Sequence, residues 1–508
     1  MDVTATLDAV LSRRASAAPD AVALAEDDAR HTYRWLDERV DEVASGLVAA
    51  GIAPGDRVGV LMASTSDHVV AVFAAWRAGA TWVPLNPQVT DADLARCIGL
   101  TGTQLVVGDE AALERIGASD EPQVAGVATA TVEALRTRPV DLPGARLEGD
   151  AVIAFTSGTT GRPKGAAITH RALRVHSAVV AEHYSAGPDD RLLTMLPLYL
   201  LSIFLIGPGL AVECGGTCRI VGRYSPQAFI RWSAADRTTL MAAVPLFFTD
   251  LLELPEADRA GLDLSSFRIV TSGGAPMPDE VMAAFGSRFG LRFLNVYGGT
   301  EAPGVVSLDP LDAPRRAGSV GVAMPHIRIT AIDADGNDLP PGEIGDLCTA
   351  PVEEGPLAGL YEPMRGYWGD EAGTAEVLRG RRLRWGDVGY VDEDGFVFLV
   401  DRSKDVIIRG AMNVYPRQVE QVFHERAEVA EVAVVGGPDP RYGEVPVAFV
   451  RPAPGARVDA EELRAWVNER VAAYSRVVEV RVVADFPRNA LGKVLKRDLR
   501  EQLGAPVG

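Results

Sequence analysis

The chain has 508 residues, 47% hydrophobic and 23% charged, which suits a globular enzyme and is too long for one core. Its formal net charge of −19 argues against nonspecific nucleic-acid binding. The charge is uneven: residues 403–508 hold 16 Lys and Arg against 15 Asp and Glu, so the acid excess lies in residues 1–402.

The first residues, Met1-Asp2-Val3, lack the basic stretch and apolar core of a secretory signal. Four scattered cysteines, Cys97, Cys214, Cys218 and Cys348, complete no zinc set. Reduced thiols in a cytoplasmic protein are expected. Residues 32–50 read as a helix, 56–61 as a strand, 68–78 as a helix and 82–85 as an extended run. This alternation predicts an α/β fold, with a large N-terminal domain of mixed, largely parallel sheets covered by helices.

Two β-branched runs, 151–155 and 166–169, enclose Thr156-Ser157-Gly158-Thr159-Thr160-Gly161-Arg162-Pro163-Lys164-Gly165. Glycines let backbone N–H groups turn toward an anion, and hydroxyls with Lys164 add donors and charge. The loop is built to hold polyphosphate. It is not the common P-loop, which needs Gly where Pro163 stands. Further on, residues 192–212 carry no charge and are long enough to span a bilayer, but Pro197, Gly207, Pro208 and Gly209 interrupt them. A buried core segment is expected, not a membrane span.

A helix over 278–289 and a strand over 292–297 lead into Asn295-Val296-Tyr297-Gly298-Gly299-Thr300-Glu301. Residues 387–402 change character, with a turn at Asp392-Glu393-Asp394-Gly395 and a polar knot at 401–405. A domain boundary is expected here, dividing residues 1–402 from a small α+β domain over 403–508. The small domain reads as helix 416–424, strands 429–435 and 445–451, helix 460–473, strand 477–483 and a basic helix over 493–503.

The 155–165 loop and the 295–301 run resemble the two nucleotide motifs of the adenylate-forming superfamily: acyl-CoA synthetases, peptide-synthetase adenylation domains and luciferases. The resemblance extends through Thr271-Ser272-Gly273-Gly274-Ala275-Pro276, Trp385-Gly386-Asp387-Val388-Gly389-Tyr390 and Pro487-Arg488-Asn489-Ala490-Leu491-Gly492-Lys493, five motifs in the expected order. It implies ATP as substrate, with Thr156, Ser157, Gly158, Thr159, Thr160 and Lys164 around the phosphates. Gly274 and Tyr297 then border the adenine, and Thr300 lies near the α-phosphate. Glu301 holds Mg²⁺, whose ligands are oxygens. Asp387 grips the ribose hydroxyls and Arg402 assists it. Lys493 joins Thr300 and Glu301 as catalytic, since a cation reaching two anions offsets their repulsion in the in-line attack. Lys404 falls on the hinge about which the family's small domain rotates.

The acid pocket implied by the resemblance draws on Tyr199, Leu200, Phe204, Val244, Gly273 and Gly274, with no basic residue for a second carboxylate. A medium aliphatic or aromatic acid is expected. Departures from the family pattern cluster on the acceptor side. Leu200 stands where many relatives carry His, and Ala411 replaces one of two glycines in the coenzyme A tunnel at Gly410-Ala411. Residues 351–362 read as an insertion. The expected activity is ATP-dependent acid–coenzyme A ligation through an acyl-AMP, by a monomer or homodimer. A carrier-protein thiol, an amine, or nitrite activation in an ATP-dependent diazotase are the alternative acceptor chemistries. A nucleotide-binding regulatory protein without turnover is a third reading, which intact Lys493, Glu301 and Asp387 oppose. His170, His176 and His183 lack a carboxylate partner pattern for a metal and read as surface or packing residues.

Overall fold

The computed structural model describes residues 1–156, 163–255, 262–274, 279–402, 404–409, 412–488 and 494–504; for Leu246, Asp279, Glu280 and Arg402 it describes the backbone alone. The described residues gather into two compact units. One takes in the described residues of 1–156, 163–328 and 349–383, and the other those of 329–348 and 384–504.

Threonines start many of the large unit's helices. Thr32 Oγ1 accepts from Trp35 N at 3.1 Å to open Tyr33–Ala49, and Thr169 Oγ1 accepts from Ala172 N at 3.1 Å to open His170–His183. Such a cap satisfies one of the orphan donors of the first turn and contributes about 1 kcal/mol. Because Thr169 also ends the strand Lys164–Thr169, sheet and helix follow without a linker.

Two sheets organise this unit. In the first, Lys164–Thr169 pairs antiparallel with Asp150–Thr156, which runs parallel to Thr81–Pro84, then Arg57–Leu61, Leu105–Gly108 and Ala128–Ala130. In the second, Val22–Glu26, Thr217–Ile220, Arg191–Thr194, Leu240–Ala243, Ile269–Ser272 and Phe293–Gly299 are all parallel neighbours. Parallel strands need covered faces, and the burial agrees: Thr81–Pro84, Leu105–Gly108 and Ile269–Ser272 are buried at every position.

The uncharged stretch 192–212 belongs to this core. It holds the end of a strand at Thr194, the short helix Leu201–Phe204, a π-turn Leu205–Gly209 containing Pro208, and the start of Leu210–Cys214. Phe204 is fully buried against Trp82 (5.0 Å), Trp76 (5.7 Å) and Phe73 (6.0 Å). Among the described residues no helix is long and apolar enough to cross a membrane. Beside it, Phe248, Phe285 and Phe293 form a second aromatic knot, each ring contributing roughly 1.5–3 kcal/mol by burial. The four cysteines are buried, and none of them forms a disulfide.

The strand Arg382–Val391, which enters the second unit at Arg384, forms a hairpin with Phe396–Arg402 turned at Gly395, where φ is +83°. A further sheet runs Met412–Val414, Ile407–Arg409, Gly443–Pro452 and Val429–Asp439, with Glu479–Val482 parallel to Gly443–Pro452. Helices Pro416–His424 and Ala460–Asn468 bury Phe423, Val419, Leu463 and Val467 against it.

Candidate active site

Four neighbouring parallel strands of the large unit have their carboxyl ends on one side: three stop at Thr194, Ala243 and Ser272, and the fourth, level with Ser272 at Asn295, runs on to Gly299. Ligands of open α/β sheets bind beyond such ends. Tyr199 and Leu200 follow the first strand and Val244 the second. Gly273 and Gly274 follow the third, and Thr300 and Glu301 the fourth. Residues separated by a hundred positions in sequence thus converge because their strands are adjacent. Gly274 has φ +79°, and a Cβ added there meets no described atom within 4 Å, so its backbone borders open space.

Tyr297 lies within the last of these strands and is buried, opposite Ser307 of the returning strand Gly304–Leu308. Glu301 is half-buried; its main-chain O accepts from Met364 N at 2.7 Å and its Oε1 accepts from Tyr367 Oη at 3.1 Å. A half-buried carboxylate with its second oxygen bonded to no described residue fits a hard, oxygen-seeking cation. In the other sheet Thr156 and Lys164 face each other as strand partners. Lys164 Nζ lies 3.2 Å from Asp370 Oδ2 and 4.8 Å from the centre of the Tyr367 ring. Tyr367 and Asp370 were absent from the expected site: they lie some two hundred residues from Lys164, and no local pattern in the sequence joins them.

Around the expected acid pocket, Tyr199 Oη is buried without a hydrogen-bond partner among the described residues. Phe247 stacks on Tyr224 with ring centres 3.5 Å apart, and Tyr224 Oη donates to Phe247 O at 3.1 Å. Phe204, expected at the same pocket, is instead fully buried among Trp82, Trp76 and Phe73 in the aromatic core. Residues 351–362 are tied down by Tyr361, which is buried and shares a 2.9 Å hydrogen bond with Thr349. His170 and His176 are buried in the helix His170–His183, where burial pushes both imidazoles down to about 3. Among the described residues no cluster of His, Cys, Asp and Glu could hold a metal.

In the second unit Asp387 is buried, in register with Arg402 on the neighbouring strand. Lys404 is exposed, and its O accepts from Arg500 Nη2 at 3.3 Å. Arg500 also pairs with Asp405 at 2.6 Å. Burial raises the Asp405 carboxyl, but Lys496 and Arg500 outweigh it and hold the group below its ordinary value. A groove of about 500 Å³ is lined by Arg409, Arg464, Asn468, Glu469 and Arg476. Ser157, Gly158, Thr159, Thr160, Gly410, Ala411 and Lys493 lie outside the described residues, as does the Arg402 side chain.

Residues 11–368 match the AMP-binding enzyme family, and residues 418–493 match the AMP-binding enzyme C-terminal domain. The chain is 36% identical over 499 residues to a feruloyl-CoA synthase of an Amycolatopsis species, covering 97% of this chain and 98% of that one. It is 32% identical over 508 residues to an indoleacetate–CoA ligase of Aromatoleum aromaticum, covering 97% of each. Its fold is similar to ATP-bound MatB from Rhodopseudomonas palustris, with a TM-score of 0.87 and 28% identity over 98% of this chain and 99% of that one.

Proposed function

The chain belongs to the AMP-binding enzyme family, and from that premise we propose how its residues divide the work of an ATP-dependent acid–coenzyme A ligase. A carboxylate oxygen attacks the α-phosphorus of ATP, pyrophosphate leaves, and the thiol of coenzyme A then displaces AMP from the acyl-AMP. Glu301 would hold magnesium, which when bound would neutralise phosphate charge. Lys164, with the residues from Thr156 to Thr160, holds the β- and γ-phosphates. Tyr297 and Gly274 border the adenine, and Asp387 with Arg402 binds the ribose. Thr300 and Lys493 stabilise charge at the α-phosphate during the attack.

The observation that carries this reading is the convergence of Tyr199, Val244, Gly273, Thr300 and Glu301 beyond the carboxyl ends of adjacent parallel strands. The acid is aromatic. The apolar segments around Tyr199 and Val244, the stacked Tyr224–Phe247 pair and the likeness to feruloyl- and indoleacetate-activating ligases support that class. The arginine-lined groove adjoins Gly410-Ala411 in sequence through Arg409 and supplies cations for a polyanion such as coenzyme A. The small domain turns about Lys404 between the two half-reactions.

Pyrophosphate release measured against a panel of aryl and aliphatic acids, with and without coenzyme A, tests this. Aryl acids are expected to dominate, with sustained turnover only when coenzyme A is present. Acyl-AMP that persists with coenzyme A but is consumed by an amine or a carrier-protein thiol would move the acceptor assignment; Leu200 and Ala411 are where the sequence departs in that direction.

A further inference from the structure

We propose that Tyr367 and Asp370 are positioning residues that align the site's cation and its carboxylate, one ring serving both. The proposal rests on the reading of Lys164 and Glu301 as the groups that hold phosphate and Mg²⁺. Tyr367 presents the face of its ring to Lys164 Nζ at 4.8 Å while its hydroxyl donates to Glu301 Oε1 at 3.1 Å. Asp370 Oδ2 pairs with the same ammonium at 3.2 Å. Lys164 begins a strand of one sheet and Glu301 follows a strand of the other, and Tyr367 meets both charged groups.

The ring itself is fixed by backbone. Gly366–Tyr367 pairs antiparallel with the strand that Lys164 begins, Tyr367 opposite Ala166, and Tyr367 N donates to Thr374 Oγ1 at 2.8 Å. Asp370 is fixed as the N-cap of Glu371–Val377, accepting from Gly373 N at 2.8 Å. A Cβ on Gly373 would fall 2.5 Å from Lys164 Nζ and 2.2 Å from Asp370 Oδ2, so glycine is what leaves room for the ammonium against the helix's first turn. A long, flexible lysine is thereby pre-ordered, and the loss of rotamer freedom on binding phosphate is reduced. For the carboxylate, a hydrogen bond to one oxygen fixes the direction of the other, the usual role of a group just behind a metal ligand.

Two substitutions separate the ring's functions. Tyr367→Phe keeps the ring beneath Lys164 and removes the bond to Glu301. It should raise the Mg²⁺ concentration needed for half-maximal ATP binding by about tenfold, the low end of the effect of such supporting groups. ATP binding in EDTA and the melting temperature should stay at wild-type values. Tyr367→Leu removes both contacts and should also weaken ATP binding in EDTA; Asp370→Asn, which still caps the helix, should do the same without altering the Mg²⁺ requirement. Calorimetric titration of ATP at stepped Mg²⁺ concentrations reads all three variants. A Tyr367→Phe enzyme with an equal or lower Mg²⁺ requirement overturns the proposal while leaving the ATP site intact. A wild-type enzyme that binds no ATP under either condition overturns the proposal together with the reading beneath it.

Discussion

His176 shows how burial decides what a residue can do. Its spacing from His170 and His183 in the sequence was open to a surface or a packing role, and the structure puts it inside, with its Nε2 2.6 Å from where a Cβ on Gly304 would stand. Burial first, and then the neighbouring His326, push its imidazole down from 6.5 to about 3. In the folded chain it therefore stays neutral as pH falls, whereas an unfolded one takes a proton near 6.5. Below that value the unfolded chain binds more protons and stability drops, by about 1.4 kcal/mol per pH unit for each such group, until the folded pKa is reached. His176→Gln should consequently show a shallower fall in melting temperature between pH 6.5 and 4 than the wild type. An identical fall in both proteins would contradict the buried, neutral assignment. At this scale, residue type and order in the sequence put Tyr297, Thr300, Glu301 and Lys164 forward as candidates, because each sits in a motif read along a short run. Tyr367 and Asp370 could not be named in that way. Their meaning comes from an antiparallel pairing between segments two hundred residues apart, which no window of the sequence contains.

Elements were legible where periodicity and caps agreed, and less so where a side chain redirected the backbone. The helix Pro416–His424 runs between the residues expected of it. By contrast, the helix expected over 460–473 stops at Asn468. There the amide of Asn468 leaves the helical pattern to clamp Val477, donating to its O at 2.8 Å and accepting from its N at 2.7 Å. The basic helix expected over 493–503 is seen at Lys496–Glu501. Its first residue is no solvated cation: Lys496 is held 2.7 Å from Glu420 of the helix Pro416–His424. Burial alone would lower the Lys496 ammonium, but Glu420, Asp401 and Asp405 together raise it. That ion cluster ties the last helix to the segment after Lys404. Lys496→Met keeps the stem volume but leaves Glu420 without its cation, while Asp405 keeps Arg500. Removing one partner of a buried pair costs about 3–5 kcal/mol. The small domain should then melt well before the large one, as an early transition in calorimetry. A single transition at the wild-type temperature would show that the cluster contributes nothing.

At the scale of the whole molecule, the chain's two compact units and its two matched family segments raise the question of how one active site performs two reactions. The charge asymmetry read from the sequence fits the answer proposed above. The acid excess lies in residues 1–402, while residues 403–508 are near neutral and carry the arginine-lined groove suited to a polyanionic acceptor. The proposed rotation about Lys404 places the demand for motion on one exposed residue. Lys404→Pro tests it, since proline fixes φ near −65° and a position that must sample two backbone states can no longer do so. The first half-reaction, followed as pyrophosphate exchange, should survive. Turnover with coenzyme A should fall far more, and acyl-AMP should accumulate on the enzyme. Damage to the fold itself would show as a lowered melting temperature with both half-reactions lost, because Lys404 O and Asp405 both anchor Arg500. Survival of both half-reactions at wild-type rates would remove Lys404 as the hinge. In that case the acceptor reaches the acyl-AMP without rotation at this point, as an amine or other small nucleophile would.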